Sequence, residues 1–429
     1  MARKMKDSGI EWIGEIPEEW SKNKVIRLFD IIGSGTTPKN ITSDFPVVNW
    51  IQSGDITGSF MPTCKNVISA NLLSQYSALR VYPAPFIIIA MYGASVGNAS
   101  ISLIDGCVNQ ACCVLSSPSC NLHYAFYVIK SAQSYLVRKA VGGGQPNISQ
   151  ETIKQLWLPL PPLSTQDIIV RNLDVTCSKI DDLLSSVHAS IEEYKKLKQA
   201  VITLAVTKGV RGEREMKDSG VEWIGEIPKE WVIQKIKSIS SRINVGVVIR
   251  PSEYFDENGT VPFLRGINVK EYLISSDNMV YINESSNHIL SKSQVHTDDI
   301  LIVRDGSIGT SCVVPAEYDS ANVVSMVIVT PSISCDSRFI CYSLNSDVGK
   351  TQFTLTKIGS ALTHTSVSAV SDIIVAVPSC AEQKEIADYL DAKCAEIDGL
   401  IAKKEQLVKE LESYKKSLIY EVVTGKREV

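Results

Sequence analysis

Two stretches of the chain carry apolar residues alternately four and three positions apart. One is Leu173, Cys177, Ile180, Leu184, Val187, Ile191, Tyr194, Val201 and Ala205; the other is Leu390, Cys394, Ile397, Ile401, Val408, Leu411, Leu418 and Val422. That spacing holds one apolar stripe on one face of a helix, as in a coiled-coil seam. It predicts two helices of roughly thirty residues each, rods of about 45 to 50 Å at ~1.5 Å per residue. Pro162 and Pro378 stand before them, and Gly209 and Gly425 after them, as start and stop signals. Lys198 and Lys415 interrupt both stripes at the same point, so the two helices are expected to be related and to pack on each other.

The relation extends beyond the helices. Residues 5–20, MKDSGIEWIGEIPEEW, recur as residues 216–231, MKDSGVEWIGEIPKEW, with two substitutions in sixteen positions. A second repeat is offset by 217 positions: residues 160–166 correspond to 377–383, and the register then holds without gaps through Asp174 and Asp391, Asp181 and Asp398, and Thr207 and Thr424. In mid-chain a helix runs into the MKDSG motif, whereas at the end of the chain a helix runs into Gly425 and Lys426 and the motif stands at the other terminus. Read as a circle, the sequence has two equivalent halves, which predicts termini that meet and a pseudo-twofold axis.

Between the repeats lie two segments with little identity but a common apolar skeleton. Residues 85–93, PFIIIAMYG, match residues 298–306, DDILIVRDG: a buried strand ending in a glycine turn. Farther on, residues 142–149, GGGQPNIS, occupy the place of residues 359–366, GSALTHTS, and alternating apolar positions (Ile153, Leu156, Leu158; Val370, Ile373, Val375) continue toward the proline cluster. A duplicated frame with diverged polar loops suits two-part recognition, because base edges are discriminated by the side chains held at fixed places. Drift in unselected loops would leave the same pattern.

Composition narrows the class. The 429 residues are 44% hydrophobic and 21% charged, which suits a globular protein of two or three domains. Residues 81–104 and 106–129 lack charge but are broken by Pro83, Pro85, Gly93, Gly97, Asn98 and Asn109, so no membrane span is expected. The start of the chain has no secretory apolar run, and a cytoplasmic protein is expected. Eleven cysteines without a C-x-x-C pair read as reduced, mostly buried thiols, and the five histidines do not stand near them at ligand spacing, so no metal site is expected. The net charge of −4 hides a segregation: residues 21–158 hold ten basic and five acidic side chains, while residues 232–376 are mildly acidic. Charge therefore permits phosphate contact in the first segment and demands local clustering in the second. No N/D-P-P-Y/F stretch for amino-group methylation and no G-x-x-x-x-G-K-S/T phosphate loop occurs; no chemistry of the chain's own is expected.

At this point the residues carry a resemblance. The W-I-G-E-I-P-x-x-W motif at Trp12 to Trp20 and again at Trp223 to Trp231, Gly33-Ser34-Gly35-Thr36-Thr37-Pro38, Trp50-Ile51-Gln52-Ser53-Gly54-Asp55-Ile56, Gly144-Gln145-Pro146-Asn147-Ile148-Ser149, and Pro161-Pro162-Leu163 with Gln166 stand together. Over essentially its whole length the chain resembles the specificity subunit of a type I restriction-modification system. In the second segment His364 stands where the pattern has asparagine, and Phe263-Leu264-Arg265-Gly266-Ile267-Asn268 replaces the Trp50 motif.

The resemblance implies an α+β fold in which two α/β target recognition domains are separated by two long antiparallel conserved helices, circularly arranged. The expected domains are residues 1–158 and 211–376, with conserved helical regions at 159–210 and 377–429. Each recognition domain would read half of a bipartite, asymmetric double-stranded DNA target. The helices would set the spacer and dock two methyltransferase (modification) subunits and the endonuclease/translocase (restriction) subunits. S-adenosylmethionine, ATP and Mg are then expected on those partners, with no cofactor on this chain. Candidate DNA-binding residues are Ser34, Thr36, Thr37, Lys39, Gln52, Tyr92, Ser95, Gln145 and Asn147 in the first domain. Arg250, Arg265, Asn268, Arg304, Ser307, Thr363 and His364 are the candidates in the second, arginine being suited to guanine or phosphate. Their serines, threonines and asparagines also serve as ordinary turn and cap residues. Two other classes fit parts of the pattern: the recognition half of a single-chain restriction-methyltransferase, which needs a catalytic domain, and a helical scaffold, which predicts no sequence-selective DNA binding.

Overall fold

A computed structural model describes residues 3–39, 41, 44–141, 146–358 and 364–429. The chain forms two compact units, Met1–Val187 with Gln406–Val429, and His188–Glu405. The division falls inside two long helices, the central helix Leu163–Lys208 and the C-terminal helix Cys380–Val423. Both are longer than the seam alone predicts, because the helical hydrogen bonding starts directly at the proline clusters and absorbs the first turns that carry Gln166 and Gln383.

In the first unit the strand Cys112–Pro118 lies between Phe29–Gly33 and Phe86–Ala90, antiparallel to both, and the sheet continues through Ala99–Ser102 to Phe60–Met61. A smaller sheet pairs Val47–Ile51 in parallel with Cys107–Val108 and antiparallel with Val67–Ser69. The run Phe86–Ala90 is uninterruptedly apolar because both of its faces are covered. Its alternate side chains divide accordingly: Ile87 and Ile89 join the core formed with the helix Leu122–Ser131, and Phe86, Ile88 and Ala90 meet Ile51, Tyr82 and Val108 on the other side.

The second unit repeats the plan. Met326–Pro331 lies between Ser240–Val245 and Ile300–Val303, and Val261–Leu264 pairs in parallel with Asn322–Val323. Ile300 and Ile302 face the helix Ser337–Asn345, while Leu301 and Val303 face the opposite cluster with Leu264 and Val323. In both units the alternation expected after the glycine loop resolves into a helical turn, Gln150–Lys154 capped by Ser149 and Val367–Ser371 capped by Ser366, followed by a short strand.

Within each unit the halves of the two long helices run antiparallel. Leu173, Cys177 and Ile180 share a core with Leu418, Ile419 and Val422 in the first, and Ile202, Ala205 and Val206 share one with Ile386, Leu390 and Cys394 in the second. The lysines that break the stripes find carboxylates across the seam: Lys415 to Asp181 at 2.5 Å, and Lys198 to Asp398 at 2.7 Å. Gln166 and Gln383 explain the residues after the prolines. Each is buried, donates to the carbonyl of Pro161 or Pro378, and accepts the N–H of the helix-capping residue, Asn121 or Asp336.

The circular equivalence is visible in the entry motifs. Trp20 and Trp231 are fully buried, each beneath a guanidinium (Arg3, Arg214) at 5.3 Å. In the first unit the motif from the start of the chain meets the end of the C-terminal helix, where Lys426 and Tyr420 both donate to the Ile13 carbonyl. In the second the repeated motif meets the end of the central helix, where Lys208 donates to the Glu226 carbonyl.

Candidate nucleic-acid interface

The antiparallel pairing of the first unit brings three strand ends together. Gly33 pairs with Val114 and Ala90 with Cys112, so the chain leaving Phe29–Gly33, the chain entering Cys112–Pro118 and the chain leaving Phe86–Ala90 emerge on one edge. The parallel pairing of Val108 with Ile51 adds the exit of Val47–Ile51 to the same edge, where Asn109 donates its N–H to the Ile51 carbonyl at 3.0 Å. Most of the candidates of the first domain gather here.

Close packing sets the 33–37 segment. A Cβ on Gly35 would lie 1.7 Å from the Val108 carbonyl oxygen, so only glycine lets the segment cross that strand. The Tyr82 hydroxyl donates to the Ser34 carbonyl at 2.9 Å, and burial pushes that phenol's pKa up, which keeps it a donor. Ser34 donates its hydroxyl to the Cys112 carbonyl at 2.7 Å. Thr36 and Thr37 follow, with the Thr37 hydroxyl donating to Gln110 Oε1 at 2.6 Å. Lys39 lies farther along, its backbone N–H donating to the Tyr76 hydroxyl. Gln52 opens a short helical turn and donates its N–H to Asp55 Oδ2 at 2.9 Å. Tyr92 is exposed and bridges to Asn147, and Ser95 donates to the Tyr92 carbonyl. Gln145 lies outside the described residues.

The second unit builds the same edge from different side chains. Gly246 takes the place of Gly35, with a would-be Cβ 2.4 Å from the Val323 carbonyl oxygen. The loop then reaches Arg250, exposed in the left-handed region at φ 45° and paired with Glu253 at 3.2 Å. Arg265 stands where Gln52 does: both follow a strand that pairs in parallel, and both open a short helical turn. Arg304 donates Nε–H to the Thr365 carbonyl at 2.9 Å, beside half-buried His364, and Ser307 is exposed in the next turn. Thr363 lies outside the described residues.

Asn268 does not join the edge. It is fully buried; its amide donates to the carbonyls of Ser275 and Asp277, and its Oδ1 accepts the Arg265 N–H at 3.1 Å. It fills the place of Asp55 in the frame, and its polarity serves that turn. One residue at the edge escaped the reading of the sequence: Gln110, exposed on the turn between Cys107–Val108 and Cys112–Pro118. It belongs to no motif, and the antiparallel register of Phe29–Gly33 with Cys112–Pro118, continued past Gly33 and Cys112, brings it beside Thr37.

Among the described residues no group of three or more His, Cys, Asp and Glu side chains is placed to hold a metal ion, and no helix is long and apolar enough to cross a membrane. Two copies of one apolar frame, each presenting an edge of different polar side chains, define a duplicated recognition protein. The chain matches the type I restriction modification DNA specificity domain over residues 17–193 and again over 228–410, and it belongs to that family.

Relatives span nearly the same length. The chain is 26% identical to a putative type I restriction enzyme MjaX specificity subunit of Methanocaldococcus jannaschii, over 96% of this chain and 95% of that protein. It is 27% identical to the MjaVIII specificity subunit of the same organism, over 71% and 69%. A structure solved in work on complex assembly and conformational transition of the type I R-M system superposes with a TM-score of 0.73 at 14% identity, covering 95% of this chain and 98% of that one. The HsdS subunit of Thermoanaerobacter tengcongensis gives 0.50 at 15% identity, covering 96% and 98%. These likenesses show the fold.

Proposed function

We propose that this chain directs a type I restriction-modification complex to its DNA target, each unit reading one half of a bipartite, asymmetric site. The observation that carries the reading is chemical difference at equivalent places: Gln52 against Arg265 and Asn147 against His364, on frames that share their central strand pairings. A glutamine and an arginine at the same exit discriminate different base edges. The remaining candidates supply hydroxyl, amide and guanidinium groups for neighbouring bases and phosphates, and the excess of basic residues in the first segment favours phosphate contact.

On this reading the paired helices dock two methyltransferase subunits and, with them, the restriction subunits. S-adenosylmethionine, ATP and Mg belong to those partners, and the chain itself contributes recognition without catalysis in a cytoplasmic complex. Methylome sequencing of cells expressing this chain with its methyltransferase partner tests the whole proposal. It should return two short, different half-sites separated by an unread spacer of constant length. Methylation without a bipartite motif would overturn it.

A further inference from the structure

Gln110 occupies a rigid perch. Asn109 accepts the Ala111 N–H on its own Oδ1 at 3.1 Å and donates its N–H to Ile51, while the Ala111 carbonyl accepts the Met91 N–H at 2.7 Å. The turn is thus tied to the exits of two strands from different sheets, and the Gln110 backbone is fixed from both sides. Its side chain is exposed, and among the described residues it is held by the Thr37 hydroxyl, which donates to Oε1 at 2.6 Å. Thr37 is itself positioned by the close approach of Gly35 to Val108 and by the bond from Ser34 to Cys112.

That contact ties the amide by its oxygen. With Oε1 accepting from Thr37, one lone pair on Oε1 and both hydrogens on Nε2 remain. A glutamine so held offers an acceptor and a donor side by side, the complement of adenine N6–H and N7 in the major groove. Part of the rotamer freedom that a loose glutamine surrenders on binding is already gone. The second unit carries no amide there: the matching turn holds Ser325 at φ 48°, its hydroxyl 3.4 Å from Asp305 Oδ2.

We propose that Gln110, oriented by Thr37, is a specificity-determining residue that reads one adenine in the half-site of the first unit. The inference rests on the bipartite reading above. Its test is the methylation pattern of complexes carrying Gln110→Ala, Gln110→Glu or Thr37→Val. Gln110→Ala should relax one position of one half-site by about 10- to 100-fold, the range a bidentate base contact discriminates. Gln110→Glu, similar in shape but accepting only, should move that position toward cytosine, whose N4 donates. Thr37→Val should relax the same position a few-fold, because the amide is then free to turn. Unchanged half-sites in the Gln110→Ala complex, or equal loss at both halves, would overturn the assignment while bipartite methylation by the unaltered complex stands. Absence of any bipartite motif in the unaltered complex would instead remove the underlying reading.

Discussion

Replacing Gly35 with alanine sets a methyl group against a carbonyl. The new Cβ would lie 1.7 Å from the Val108 oxygen, where 3.0 Å is the practical limit, so the segment must lift by about 1.3 Å, the difference of the two. Overpacking of this kind costs about 2 to 3 kcal/mol. The lift also breaks the bonds from Ser34 to Cys112 and from Thr37 to Gln110, at about 1 kcal/mol each. A stiffer unfolded chain offsets about 0.5 to 1 kcal/mol. The net loss is about 3 to 4.5 kcal/mol, a fall in melting temperature of roughly 10 °C for a unit of this size. On the proposed reading, function should suffer on one side only, since the segment belongs to the loop edge of one unit. Gly246→Ala, whose Cβ stops 2.4 Å from the Val323 oxygen, should do the same more mildly for the other half-site. Gly54→Ala, which meets nothing within 4 Å, is the thermal control. The assays are thermal unfolding and methylation scored separately at the two half-sites. A Gly35→Ala protein that melts within a degree of the parent and methylates both halves normally would refute the packing argument.

Gln166→Ala and Gln383→Ala should each cost about 2 kcal/mol in denaturant unfolding, because each removes a buried side chain that holds the N–H of a half-buried helix cap and the carbonyl of a proline; a loss below about 0.5 kcal/mol would mean that water satisfies the cap. The Lys198–Asp398 and Lys415–Asp181 pairs have half-exposed carboxylates, so double-mutant cycles should give coupling of at most about 1 kcal/mol, weakening in high salt; a value well above 2 kcal/mol in high salt would contradict this. Burial pushes the thiols of Cys113 and Cys312 up to about 12 and that of Cys107 up to about 11, so at pH 8 exposed Cys380 should be alkylated well before them. The sign for stability follows: the folded chain keeps protons that the unfolded chain releases above about pH 9, so their contribution is present below that pH and is lost as pH rises toward 11. Melting temperatures that rise over this interval would speak against it.

The sequence alone determined the architecture in outline. Duplication, the four-three apolar stripe and the proline and glycine punctuation are local or periodic signals, and together they predict paired helices and two related units; the α+β class was implied by the resemblance. Lys198 and Lys415 were legible as breaks in the stripes, although the carboxylates that answer them became evident only with the antiparallel seam. Which polar residues face outward was decided by tertiary structure. Arg265 and Asn268 stand three residues apart in one motif, yet the short helical turn leaves the first half-buried at the strand exit and buries the second. Gln110 carries no pattern in the chain; it reaches Thr37 because Gly33 pairs with Val114 in an antiparallel register that continues past both, and because Gly35 crosses Val108. Periodicity encodes burial, whereas a reading edge is assembled from strand ends distant in sequence, and only the pairing of those strands states which ends meet.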